Sequence, residues 1–139
     1  MQKREIKALS EQQIEGFRAG KGMAMAMPAE LNGYPGPLHV LEMAAQIGLT
    51  SEQQAETKKL YAEMQEAAKA QGEQFIAAER DLDSLFAQKK ATPESVASAV
   101  AAAANAQGQL RETHLRYHLA MMDVLTPEQV AAYNKLRGY

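Results

Sequence analysis

The stretch from Arg111 to Gln129, Arg-Glu-Thr-His-Leu-Arg-Tyr-His-Leu-Ala-Met-Met-Asp-Val-Leu-Thr-Pro-Glu-Gln, holds two of the chain's three histidines. On a helix His114 and His118 stand one turn apart on one face, and Met121 and Met122 extend the same two rows by a further turn. Neutral imidazoles at i and i+4 can share one ion, and a third imidazole with a carboxylate or thioether would complete a four- to six-coordinate transition-metal site. The third imidazole is His39, followed at i+3 and i+4 by Glu42 and Met43, so that all three can project to one side of a helix. The same residues allow a plainer arrangement, core histidines hydrogen-bonded to Glu42 or to a backbone carbonyl, because an imidazole in an apolar seam needs a partner.

A second group of soft atoms lies in Met23-Ala24-Met25-Ala26-Met27-Pro28. An extended segment would set three thioethers on one side. That arrangement suits either an adaptable arm packed on helices or a Cu(I)- or Ag(I)-binding run.

The elements that must position these side chains are helical. Ser10 with Gln13, and Thr50 with Gln53, are capping boxes that open helices, the first ending near Ala19 before Gly20 and Gly22. Turn signals at Asn32-Gly33 and Pro35-Gly36 precede Pro37, the first position of a helix expected to run to about Ile47 and stop at Gly48. From Thr50 a long helix follows with a seam of Leu60, Met64, Ala67, Gln71, Phe75, Ala78, Leu82 and Leu85, its strongest internal breaker being Gly72. Thr92-Pro93-Glu94 is a sharp reversal. The second long helix carries Val96, Val100, Ala103, Gln107, Leu110, His114, Tyr117, Met121 and Val124 at heptad spacing, and so short a connection makes the two helices antiparallel neighbours. Counting outward from the turn near Ala91 brings Met64 and Glu63 beside His118 and puts Ala68 opposite His114. Thr126 and Pro127 cap a last helix through Val130, Tyr133 and Leu136.

Alanine-rich composition and the lack of β-branched runs fit an all-α chain, a long antiparallel helical hairpin with short flanking helices. Residues 1–36 read as an N-terminal arm with a short helix and the methionine segment, and residues 37–139 as the hairpin domain. The net charge of −2 is spread in mixed signs, so no basic stripe is available for nucleic acid. Cysteine is absent, which excludes disulfides and thiolate chemistry and suits an oxidising compartment. The polar run Gln2-Lys3-Arg4-Glu5 after Met1 has no apolar core of a secretory signal, so a signal peptide is not expected in this form. Without a nucleophile elbow, phosphate loop or paired catalytic carboxylates, an enzyme is not expected.

Two copies of Leu-Thr-x-x-Gln, Leu49 to Gln53 and Leu125 to Gln129, stand at the open ends of the hairpin, and Leu9-Ser10-Glu11-Gln12-Gln13 is a relaxed third copy. On these motifs the chain from Pro37 to Tyr139 resembles the Spy/CpxP family of periplasmic proteins. The resemblance implies a hooked four-helix hairpin that dimerises. It also implies a role as an ATP-independent chaperone for unfolded clients or as a heavy-metal or envelope-stress sensor with a membrane-anchored regulator. The metal-sensing branch uses a His-x-x-x-His pair on the first helix, a Glu on the first long helix and a His-x-x-x-Met pair before the second Leu-Thr-x-x-Gln. His118 and Met122 match the last pair, His39 matches the first histidine, and Met43 stands where the second is expected. Glu63, best placed by the hairpin register, and Glu42 are the carboxylate candidates. The expected set is therefore His39, His114, His118 and Met122, with Met43 and Glu42 or Glu63, for Cu, Zn, Ni or Co. Thioethers favour Cu(I) or Ag(I), and a carboxylate favours Zn²⁺, Ni²⁺ or Co²⁺.

Overall fold

A computed structural model describes residues 4–139, so the first part of the polar run, Gln2-Lys3, lies outside the described residues. The elements in order are α1 (Glu11–Arg18), α2 (Met27–Glu30), α3 (Pro37–Glu42), α4 (Ala44–Ile47), α5 (Ser51–Ala87), α6 (Pro93–Val124) and α7 (Pro127–Arg137), with no strand among the described residues. Helices α5 and α6 pack along their length as the expected antiparallel hairpin. Thr92 caps α6 through Ser95, and Pro93 takes the first helical position.

Two hydrophobic clusters fill the hairpin. Toward the turn, Phe75 and Ile76 of α5 and Ala106 and Leu110 of α6 bury Ile6, Leu9 and Phe17 from the arm, and Phe17 meets Phe75 edge-on at 5.1 Å between ring centres. Toward the open end, Met121 and Leu125 pack with Val40, Ile47, Leu49 and Tyr133. The arm is therefore part of the core. Lys7 adds a backbone N–H bond of 2.7 Å to Asp83, which holds that carboxyl below its usual range.

Gly72 does not break α5. A Cβ there would run into the Phe17 carbonyl oxygen, so the missing side chain is what lets the end of α1 rest on the middle of α5.

Three local expectations change. The helix from Pro37 is interrupted at Met43 (φ −107, ψ 16), where that side chain packs partly buried against the open-end cluster, and resumes as α4. The methionine segment is not extended: Met23 (φ 50) and Ala24 (φ 67) adopt left-handed conformations, and turns bond Met25 N–H to Gly22 and Met27 N–H to Ala24. Met23 and Met25 pack on the turn-side cluster while Met27 is exposed, so the three thioethers do not share a side. On α6, Val100 and Gln107 are exposed and Ala106 and His118 are buried, because the buried stripe follows a straight helix and drifts from a strict heptad.

Candidate metal-binding cavity and the glutamine clasp

The two Leu-Thr-x-x-Gln motifs fold into one joint. Thr50 accepts a hydrogen bond from Gln53 N–H and Gln53 Oε1 accepts one from Thr50 N–H; Thr126 and Gln129 repeat this box. Each glutamine amide then reaches across. Gln53 Nε2 donates to Gln129 Oε1 at 2.7 Å and to the Val124 carbonyl at 3.0 Å, while Gln129 Nε2 donates to Gln53 Oε1 at 2.8 Å and to the Gly48 carbonyl at 3.1 Å. Val124 and Gly48 are the residues just before the two motif leucines, so the joint is nearly two-fold. Each amide hydrogen is used, and the motif threonine, glutamine and buried leucine each have a separate task.

Between the two hydrophobic clusters the α6 stripe is polar: His114 is 2% exposed and His118 is 8% exposed. They face a cavity of about 190 Å³ closed by the Ala19–Gly22 loop, by Gly36, Pro37, Leu38 and His39, and by Tyr61, Met64 and Gln65 of α5. All three histidines line it. His118 Nδ1 lies 2.7 Å from the Tyr34 carbonyl, which can only accept, so Nδ1 carries the proton and the neutral ring keeps its lone pair on Nε2. His39 Nδ1 is 3.1 Å from Glu42 Oε2 and by the same reasoning also leaves Nε2 free. A Cβ on Gly36 would stand 2.8 Å from His118 Nε2, so glycine keeps space open in front of that nitrogen. His114 Nε2 is buried with no hydrogen-bond partner. Burial, and secondarily the neighbouring His118, push the His114 imidazole below its usual pKa, so the ring is neutral at pH 7.

These features fit an imidazole-based ligand set: an orphaned buried nitrogen, two rings whose Nδ1 is already committed to an oxygen, and a glycine-cleared space. In this conformation, however, no group of three His, Asp or Glu among the described residues stands close enough to hold one ion. His39 is the outlying ring, with its side chain 39% exposed.

The other expected ligands lie elsewhere. Glu42 is exposed and committed to His39. Glu63 is exposed, because the register that brings Met64 to the cavity turns its neighbour to solvent. Met122 is 38% exposed and outside the cavity lining, since Met121 takes the inward position at that turn of α6. Met43 belongs to the open-end cluster.

Sequence reasoning missed Glu30. It is 6% exposed, accepts a short hydrogen bond from the Tyr133 hydroxyl, and has Arg137 Nε at 3.5 Å from Oε1. Its Oε2 lies 3.6 Å from His118 Nδ1 without a hydrogen-bond partner. Burial, then the bond to Glu30, raise the Tyr133 hydroxyl far above its ordinary pKa, so it stays a donor. The only signal was weak: a single carboxylate beside the Asn32-Gly33 turn, close in sequence to the methionines.

A larger, mostly apolar groove of about 470 Å³ lies near the hairpin turn, lined by Ile6, Leu82 and the 56% exposed Phe86, with Lys7 and Asp83 at its rim. It carries none of the histidines.

No described helix is long and apolar enough to cross a membrane. Comparison with curated proteins and with solved structures returned no match. The family model described as "LTXXQ motif family protein" matches residues 37–137, the span from the start of α3 to the end of α7 that contains both halves of the glutamine clasp. The chain belongs to this LTXXQ family, the Spy/CpxP type of stress-related proteins that are typically periplasmic and act as chaperones or sensors.

Proposed function

We propose that this chain is a periplasmic metal-binding sensor or buffer of a heavy-metal or envelope stress response, using His39, His114 and His118. The observation that carries the reading is that all three histidines of the sequence line one small cavity at the interruption between two hydrophobic clusters. A transition metal supplies, when bound, an electrophile that neutral imidazole nitrogens can share, and nitrogen ligands without thiolates suit Zn²⁺, Ni²⁺, Co²⁺ or Cu. His114 and His118 are held by α6, whereas His39 rides on the short, interrupted α3. Closing of α3 over the cavity is then the movement that a membrane-anchored regulator would read. Met122 and Glu63 take no part without a rearrangement of α6 or α5, nor Met43 without one of the α3–α4 segment. Titration of the purified protein with Zn²⁺, Ni²⁺, Co²⁺ and Cu(I) tests this: one equivalent bound, with affinity falling steeply below about pH 6 as protons compete for the imidazole nitrogens, is expected.

A second reading, an ATP-independent chaperone, is favoured by the groove beside Phe86, where an exposed aromatic ring and a charged rim would suit apolar segments of unfolded clients. It predicts that Phe86→Ser abolishes suppression of client aggregation while leaving metal uptake intact. A homodimer is part of either reading, since Val100 and Leu119 of the hairpin and Leu136 of α7 are left half exposed.

A further inference from the structure

We infer that Glu30 is the positioning carboxylate of His118, an oxygen acceptor contributed by the arm from outside the family-matched span 37–137. This inference rests on the metal reading for its consequence but not for its geometry.

Three observations support it. Glu30 is almost fully buried, and a carboxylate placed there is costly unless something is gained from it. Its Oε1 is occupied by the Tyr133 hydroxyl, with Arg137 and Tyr139 at 3.5 and 3.4 Å. Its Oε2 has no hydrogen-bond partner and instead sits 3.6 Å from His118 Nδ1, the nitrogen that already donates to Tyr34. Two oxygens, one neutral and one carboxylate, thus face the same N–H. The Tyr34 carbonyl takes the hydrogen bond that keeps the proton on Nδ1 and leaves Nε2 without it, and the carboxylate adds its negative charge beside that N–H. A ligating imidazole gains positive character at its far N–H, so a carboxylate beside that N–H strengthens the nitrogen on the other side of the ring. Tyr133 and Arg137 lie on α7 and Glu30 ends α2, so the same carboxylate also joins the arm to the C-terminal helix through its other oxygen.

The test compares wild type, Glu30→Gln and Tyr133→Phe by Co²⁺ titration followed in the visible spectrum, and by ring ¹⁵N NMR of the metal-free proteins. Glu30→Gln keeps the shape but replaces the acceptor facing Nδ1, and Tyr133→Phe loosens the link to α7 while keeping the carboxylate. The expected result is that Glu30→Gln weakens Co²⁺ binding by about 10- to 100-fold and shifts the His118 ring ¹⁵N signals, whereas Tyr133→Phe does neither. Equal effects of the two variants would overturn the inference, reducing Glu30 to a strut for α7, and so would unchanged Co²⁺ binding in Glu30→Gln. If wild type takes up no Co²⁺, the metal reading fails, and the ¹⁵N spectra decide Glu30 separately: a shift of His118 only in Glu30→Gln supports its positioning role, and no shift overturns it.

Discussion

Gln53 and Gln129 hold each other by both ends of their amides, with the two nitrogen-to-oxygen distances at 2.7 and 2.8 Å. Each oxygen also caps its own helix and each nitrogen also closes the carbonyl preceding the other motif. Removing one partner leaves part-buried donors and acceptors on the other, so Gln129→Ala is expected to cost about 2–3 kcal/mol in urea unfolding. The double variant Gln53→Ala with Gln129→Ala should cost less than the sum of the two singles. Gln13, which makes only the capping box with Ser10, should cost about 0.5–1 kcal/mol when changed to alanine.

Gly72→Ala would ordinarily favour a helix by about 1 kcal/mol. Here the new methyl group meets the Phe17 carbonyl, which is backbone and cannot rotate away. The expected outcome is net destabilisation, with faster hydrogen exchange in Leu9 to Arg18 and little change in the open-end cluster.

Much of this fold was legible because its signals are local. Capping boxes at Ser10 and Thr50 and the caps at Thr92 and Thr126 act within one turn of backbone, and all four start helices, each with a complete capping box. Seams were legible as to helix and partner, but not as to which residue of each turn faces inward. That choice depends on what else packs there: the arm on α5 buries Ile76 and Gly72, and α3 with its preceding loop buries His118. The candidate site divides in the same way. His114 and His118 could be paired from their spacing, whereas Glu30 is brought to His118 by the path of the arm, which no periodicity encodes. Met43 sits, partly buried against the open-end cluster, at a break in a helix that the sequence reads as continuous from Pro37, a break that no local signal marks.

His114 gives a pH dependence with a definite sign. Its folded pKa lies below the usual 6.5, so the unfolded chain takes up a proton that the folded chain refuses. Stability is therefore unaffected well above pH 6.5 and falls as pH drops from about 6.5 toward the depressed folded value. Thermal unfolding of metal-free protein between pH 8 and 5 should show the loss, and His114→Leu should flatten the profile. A profile unchanged by that substitution would place the titration elsewhere.

Lys89 occupies the left-handed position (φ 59) after the C-terminus of α5, where glycine is the least strained residue. It is exposed, so replacement removes no packing. Lys89→Gly should raise stability by about 0.5–1 kcal/mol, measured by the urea midpoint at unchanged slope.

The central claim is that one ion is shared by His39, His114 and His118. Ring ¹⁵N spectra recorded during a Zn²⁺ titration read all three imidazoles at once. The account predicts that the signals of all three move together and stop moving at one equivalent, and that His39→Ala abolishes the saturable shift of the other two. Signals of His114 and His118 that stay unmoved, or that respond identically with His39 replaced, would contradict it and leave both as core histidines, with His118 bonded to the Tyr34 carbonyl and His114 Nε2 unpaired.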